Sequence, residues 1–181
     1  SPRRQELLIQ LGVRFQVRPQ DIDESVRERE DPVSYVERVA NQKAQSALAE
    51  VGDQTVLAAD TSVIVDNRIL GKPKDQQEGL QMLSLLSGRE HVVMSAVVVA
   101  NQTTTRSITV LTTVQFREIG SNEALKYWRT GEPLGKAGGY GIQGPAGALI
   151  PWISGSFTGI VGLPLAETAG LLQAAGIKVW A

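Results

Sequence analysis

Two kinds of residue in this 181-residue chain could carry chemistry: carboxylates set among apolar residues, and cations set beside glycines, prolines or helix starts. Asp60 is the sharpest case. It interrupts Val56–Val65, a run of β-branched and apolar residues that reads as a strand. Buried with no partner, an ionised carboxylate costs several kcal/mol or is forced to neutralise. Either Asp60 faces solvent or marks a bulge, or it ends a buried half-strand and points into a cleft containing a cation. Asp66-Asn67 then supplies a hairpin turn, and Gly71-Lys72-Pro73 a charged, sterically restricted exit that returns Lys72 to the neighbourhood of Asp60.

Further cations and carboxylates fit the same chemistry. Ser1 is placed as a helix N-cap with Pro2 at the first helical position and Gly12 as terminator. Arg3 and Arg4 in that first turn read either as a solvated basic turn or, with the free amides of the terminus, as an anion site. The loop Asp21-Ile22-Asp23-Glu24-Ser25 is ordinarily solvated, or else supplies a ligand to a divalent cation, with Glu24 the candidate. Lys43 lies between small apolar positions of a helix, on the surface by default and facing a cleft in the sharper reading. In Gly131–Gly144, glycines are interleaved with Lys136, Tyr140 and Gln143, which favours a ligand-facing loop over a flexible linker. That stretch lacks the Walker pattern, so a P-loop ATPase is not supported.

Composition removes other chemistries. There is no cysteine, which excludes disulfides, thiolate zinc sites and cysteine nucleophiles. His91 is the only histidine and precedes an apolar run, where an exposed residue leading into a strand is expected; serine–histidine catalysis and histidine-rich metal sites are disfavoured. A net charge of -1 gives no general attraction for nucleic-acid phosphates. No window approaches the roughly 18 apolar residues of a membrane span, and no signal peptide leads the chain. A soluble, cytoplasmic protein is expected.

The elements that must position these residues follow from periodicity. After the first helix, Arg14–Arg18 alternates as a short strand. Asp31-Pro32 opens a helix carrying Val33, Val36, Val39, Ala40, Ala44, Ala47 and Leu48 at helical spacing. Asp75 caps a helix with Met82, Leu83, Leu85 and Leu86, ending at Gly88. Val92–Ala100 and Ser107–Phe116 form an antiparallel hairpin. A helix follows from Ser121 through Trp128, then strand around Ala148–Ile153, a helix over Leu165–Ala175 and a closing strand over Ile177–Trp180.

Ser1-Pro2-Arg3-Arg4-Gln5-Glu6-Leu7-Leu8, Ala59-Asp60-Thr61, Gly71-Lys72-Pro73, Gly131-Glu132-Pro133, Lys136-Ala137-Gly138 and Tyr140-Gly141-Ile142-Gln143-Gly144 form an ordered series. Together they resemble the Maf family of nucleotide pyrophosphatases. The likeness spans nearly the whole chain, and the series is specific although each motif alone is weak. The Tyr140–Gly144 form is similar to the subgroup acting on dTTP and UTP, not to the 7-methyl-GTP subgroup.

The resemblance implies a single Maf-like domain over residues 1–181, of α/β class, with two lobes on a long mixed β-sheet, flanking helices and a central nucleotide-binding cleft. It implies hydrolysis of a nucleoside triphosphate between the α and β phosphates, giving the monophosphate and pyrophosphate, in nucleotide-pool housekeeping linked to cell-division arrest. A divalent cation, Mg2+ or Mn2+, assists. Asp60 matches the proton acceptor; Arg3, Thr61 and Gln143 match positions of substrate choice; Glu24, Lys43, Lys72, Ser1 and Lys136 match other polar pocket positions. Glu24 and Asp60 are the metal candidates, and a homodimer is a family-level expectation. An unperturbed Asp, with a pKa of about 3.9, is a weak base at neutral pH. Asp60 is therefore expected to orient a metal-activated water and take its proton as the water adds. The Gln143 amide can donate to O4 of uracil or thymine and accept from N3–H, provided that neighbours such as Tyr140 hold its orientation. The alternatives are a nucleotide-binding regulator of cell division with little turnover, or a related pyrophosphatase of different base specificity.

Two departures from the family pattern carry expectations of their own. The chain starts at Ser1, where family members have a short apolar strand and small-residue loop ahead, so an N-terminal strand is expected to be missing. Gly135 stands where this subgroup commonly has Asp, so a water-mediated or metal-linked role is expected to be absent there.

Overall fold

A computed structural model describes residues 1–181. Helix α1 (Pro2–Gln10) starts at the N-cap Ser1, with Pro2 supplying a pre-set φ where the amide proton has no helical partner. Helix α2 (Pro32–Val51) is capped by Asp31, whose carboxylate accepts from the amides of Val33 and Ser34. Strand β1 (Val56–Val65) turns through Asp66 and Asn67, both at positive φ, into β2 (Arg68–Leu70). Helix α3 (Gln76–Leu86) is capped by Asp75 and leads to β3 (Glu90–Ala100) and β4 (Thr105–Gln115). Asn101 shapes the hairpin between them, its side-chain oxygen accepting from the amides of Thr103 and Thr104. Helix α4 (Ser121–Trp128), strand β5 (Trp152–Ser154), and helices α5 (Phe157–Val161) and α6 (Leu165–Ala174) complete the chain. No helix is long and apolar enough to cross a membrane.

The strands form one sheet in the order β2-β1-β3-β4-β5, flanked by helices, an α/β fold. Every pairing is antiparallel, so the sheet expected to be mixed has no parallel contact within these residues. Hairpins join β1 to β2 and β3 to β4, and a tight hairpin reverses the chain by construction. β1 pairs with β3 from Val56 to Ile64 but with β2 only from Val63 to Val65.

Pleating sends alternate residues of β1 and β3 to opposite faces, and three apolar clusters result. One face packs Ile64, Met94, Ala96, Val98 and Ala100 against Val36, Val39, Ala40 and Ala44 of α2. The other face carries two clusters. Ala59, Val97 and Val99 pack against Leu7 and Leu8 of α1, Leu11 just past its end, and Leu172 of α6. Further along the same face, Val63, Val65 and Val93 pack against Leu83, Leu86, Phe116, Tyr127 and Tyr140.

Three expected strands differ. Arg14–Arg18 forms no strand: it pairs with none of the five strands, and Phe15 and Val17 are exposed. Ile177–Trp180 instead tethers α1, with the Trp180 amide donating to the Leu11 carbonyl and its indole N–H to the Gln10 carbonyl, both at 2.9 Å. Around Ala148 the chain makes a 3-10 turn over Pro145–Leu149, which leaves only Trp152–Ser154 to pair with β4.

Candidate active site

Asp60 sits in the middle of an uninterrupted β1, opposite Ala96 of β3, with a residue exposure of 7%. The cation it meets is a side chain. Lys43 of α2 donates from Nζ to Asp60 Oδ1 at 2.9 Å and pairs with Glu24 Oε1 at 2.8 Å. Helical spacing places Lys43 beside the buried Ala40, Ala44 and Ala47, so its stem crosses apolar surface to reach the strand. The acidic loop that carries Glu24 is pinned from α2: Tyr35 Oη donates to the Glu24 carbonyl at 2.9 Å, and Arg38 to the Ser25 carbonyl at 2.9 Å. Burial raises the Glu24 carboxyl, but the Lys43 hydrogen bond and the charges of Lys43, Lys72 and Arg4 outweigh it and hold the group below its ordinary value. Burial, with Asp60 and Glu24 nearby, pushes the Tyr35 phenol up to about 12.

On the opposite face, Arg4 reaches from α1 to the strand. Its Nε donates to the Gly162 carbonyl at 2.7 Å and its Nη2 to Thr61 Oγ1 at 3.0 Å. Burial pulls the Arg4 guanidinium down and Arg3 adds to it, opposed by Asp60 and Glu24. Arg3 lies at the mouth of the glycine-rich stretch: a Cβ on Gly141 would come 3.0 Å from Lys136 Cε and 3.7 Å from Arg3 Nη1, so a side chain there would displace the lysine. The Lys136 ammonium, held on the Glu132 carbonyl at 2.6 Å, is lowered by burial and then by Arg3.

These residues surround one cleft of about 1430 Å³, lined by Ser1, Arg3, Arg4, Glu24, Lys43, Asp60, Thr61, Lys72 and Lys136 among others. Arg3, Arg4, Lys72 and Lys136 have no carboxylate partner there, and the two carboxylates share Lys43. Cations left unpaired side by side repel one another, and an anion relieves that repulsion. A cleft with this charge balance is built for a polyanion.

The glycine-rich stretch lies against the cleft, held from three sides. The Gly138 amide donates to the Gly71 carbonyl at 3.0 Å, joining it to the Lys72 turn, and Gly138 has φ +67° with Val63 methyls 3.0 Å from where a Cβ would stand. Glu132 Oε2 accepts from Tyr127 Oη at 2.7 Å and the Ala146 amide at 2.9 Å. Tyr140 is buried with its hydroxyl 2.7 Å from His91 Nε2. His91, expected to be exposed, is itself buried at 3%, edge-on to Phe116 and Tyr140, with Nδ1 unpartnered. Burial, then Arg89, lowers its imidazole to about 4.

Gln143 is the one expected site residue that the fold does not bring to this cleft. It is exposed, makes no hydrogen bond, and lies outside the lining. The reason is local: Tyr140 turns into the core and Ile142 packs against an apolar cluster, so the turn closed by the Gly144 amide on the Gly141 carbonyl leaves Gln143 on its outer side. Tyr140, expected to orient Gln143, bonds to His91 instead. Sequence reading in turn missed Ser95, buried in β3 and bonded to Thr61, and the clamp made by Glu132. A serine between apolar positions of a strand, and an acidic residue leading a glycine run, were the available signals.

No three histidine, cysteine or carboxylate side chains gather into a metal cage. Glu24 and Asp60 each engage Lys43 through one oxygen. A pair of carboxylates beside a polyanion cleft fits a hard cation of the Mg2+ type, which takes one or two carboxylates and completes its shell with substrate phosphates.

The family model described as Maf-like protein matches residues 1–175. A dTTP/UTP pyrophosphatase of a Ruegeria species is 51% identical over 181 residues, covering 99% of this chain and 93% of that protein. One from Acinetobacter baylyi is 48% identical over 173 residues, 96% of this chain and 94% of the relative. One from Roseobacter denitrificans is 51% identical over 179 residues, 98% and 95%.

Proposed function

The chain belongs to the Maf family, and from that premise we propose that it hydrolyses dTTP and UTP to the nucleoside monophosphate and pyrophosphate in nucleotide-pool housekeeping. The observation that carries the reading is the Asp60–Lys43–Glu24 cluster, with Asp60 buried, in a cleft where Arg3, Arg4, Lys72 and Lys136 have no carboxylate partner. The physical problem is to bring water to a phosphorus atom surrounded by negative charge. Arg3, Lys72 and Lys136 hold the phosphate chain and offset the charge that grows on the departing pyrophosphate. Lys43 fixes Asp60 Oδ1 at 2.9 Å, while Oδ2, held only by a long 3.4 Å bond from Ser62 Oγ, is the oxygen offered to the water. Asp60 accepts the water proton as the new oxygen–phosphorus bond forms at the α-phosphate and the bridging bond to the β-phosphate breaks. A divalent cation, Mg2+ or Mn2+, held by Glu24 and Asp60 together with the triphosphate, would supply charge neutralisation and lower the pKa of a bound water.

Pyrophosphate release from a panel of nucleoside triphosphates, with and without Mn2+ or Mg2+, tests this. Metal-dependent release from UTP and dTTP well above that from CTP is expected. Nucleotide binding with no metal-dependent turnover would overturn the reading and favour a nucleotide-binding regulator.

A further inference from the structure

The seam between the two apolar clusters on one face of the sheet is polar. On β1 that face runs Ala59, Thr61, Val63, and on β3 it runs Val97, Ser95, Val93, with Thr61 and Ser95 directly opposed. Ser95 is buried at 1% and touches only protein. Its Oγ lies 2.7 Å from the Gly159 carbonyl in α5 and 2.7 Å from Thr61 Oγ1.

Proton accounting fixes the direction of this chain. A carbonyl can only accept, so the single hydroxyl proton of Ser95 goes to Gly159. The proton between the two hydroxyls must then belong to Thr61, which donates it to Ser95. The Arg4 guanidinium can only donate, so it gives to Thr61 Oγ1 at 3.0 Å. Donation therefore runs Arg4 to Thr61 to Ser95 to Gly159. The competing acceptor for Thr61, the Gly162 carbonyl, is 3.5 Å away and loses to Ser95. Half-buried at the cleft wall, Thr61 has one lone pair left and no proton to offer.

We propose that Ser95 is a positioning residue for base choice: by taking the Thr61 proton it leaves Thr61 as an acceptor only, selecting substrates that present an N–H where Thr61 reads them. Uracil and thymine carry N3–H; cytosine carries a bare N3, which would face a second lone pair. Thr61 lines the cleft, whereas Gln143 is exposed and outside its lining, so Thr61 is the residue placed to meet this edge. The proposal rests on the reading that Thr61 touches the pyrimidine of the substrate.

The test is kcat/KM for UTP and CTP with the full chain, in wild type, Ser95→Ala, Thr61→Val and the double variant. Without Ser95 only the long 3.5 Å contact to the Gly162 carbonyl competes for the Thr61 proton, so the hydroxyl can turn and donate to cytosine N3, and the UTP:CTP ratio in Ser95→Ala is expected to fall about tenfold. Adding Ser95→Ala to Thr61→Val should move the ratio no further, because the relay is already cut. Ser95→Cys, which keeps the volume but accepts weakly, should shift the ratio in the same direction by less, and it serves if Ser95→Ala does not fold. An equal loss on both substrates, an unchanged ratio, or a Ser95→Ala effect that persists beside Thr61→Val overturns the positioning role. If Thr61→Val alone leaves both substrates untouched, Thr61 does not contact the base, which is a separate failure from that of Ser95.

Discussion

Replacing Asp60 by Asn separates chemistry from architecture, because the structure supplies a different magnitude for each. The amide keeps the size of the carboxylate and can still accept from Lys43 Nζ, 2.9 Å away in wild type. Lys43 also keeps its second partner, Glu24 at 2.8 Å, so no ammonium is left unpaired. The structural loss is that of one charge-assisted bond among two, about 1–2 kcal/mol, smaller than the 3–5 kcal/mol of orphaning a buried ion. At about 2–4 °C per kcal/mol for a chain of this size, the melting temperature should fall by roughly 2–8 °C. Against a stability of about 5–15 kcal/mol the protein stays folded at assay temperature. Loss of the proton acceptor is another matter: a drop of about a hundredfold or more in kcat is expected, equivalent to about 2.7 kcal/mol of transition-state stabilisation. Pyrophosphate release from saturating UTP reads the first effect, thermal melting the second, and calorimetric UTP binding should change far less than kcat. A folded Asp60→Asn protein turning over within about threefold of wild type would refute the assignment of Asp60 as proton acceptor.

Lys72→Ala should raise KM and lower kcat, together about tenfold in kcat/KM, because an unpaired cation at the cleft favours both bound triphosphate and transition state; Lys72→Arg need not rescue it. Kinetics matching wild type at every salt concentration would make Lys72 a surface residue only. His91 titrates at about 4 in the folded chain against about 6.5 unfolded, so the unfolded state binds the proton first and the stability it contributes is present above pH 6.5 and lost as pH falls toward 4. Urea melts at pH 7.5 and 5.0 should differ by about 2 kcal/mol less in His91→Gln than in wild type; an identical difference would show that His91 is not buried neutral. Gln143→Glu should change kcat/KM for UTP and CTP alike and by less than about threefold, since the side chain lies outside the cleft; a loss confined to UTP would place it on the base.

What could be read in the sequence was what neighbours in the chain decide. Asp31 and Asp75 announce their helices because a cap acts over three residues, and Asp66-Asn67 announces its hairpin because the turn needs positive φ there. Asp60 was legible as an anomaly, since a carboxylate in an apolar strand demands a partner. Which partner was not legible. Lys43 lies 17 residues away on another element, and only α2 packing across the sheet brings the two together. His91 was misjudged for the same reason: what makes its burial tolerable is a hydroxyl 49 residues further on. Arg14–Arg18 shows the converse failure, since a period of two states which face a strand would bury but cannot supply the edge that it needs.

The site's layout also constrains how a substrate can lie. Asp60 and Thr61 are adjacent on one strand, so pleating sends them to opposite faces: Asp60 toward α2 and Lys43, Thr61 toward α1, Arg4 and Ser95. A substrate above either face would reach one and miss the other behind the backbone. Both can serve a single molecule only if it crosses the edge of β1. That edge is open where it must be: β2 covers β1 from Val63 onward and leaves Asp60, Thr61 and Ser62 without a strand on that side. The cations follow the same line, with Arg3 and Arg4 on α1, Lys72 just past β2, and Lys136 on the glycine-rich stretch that Gly138 ties to Gly71. On the proposed reading, a substrate crossing this edge would have Asp60 on one side and the Arg4–Thr61 pair on the other, with the strand backbone between the proposed proton acceptor and the proposed base contact.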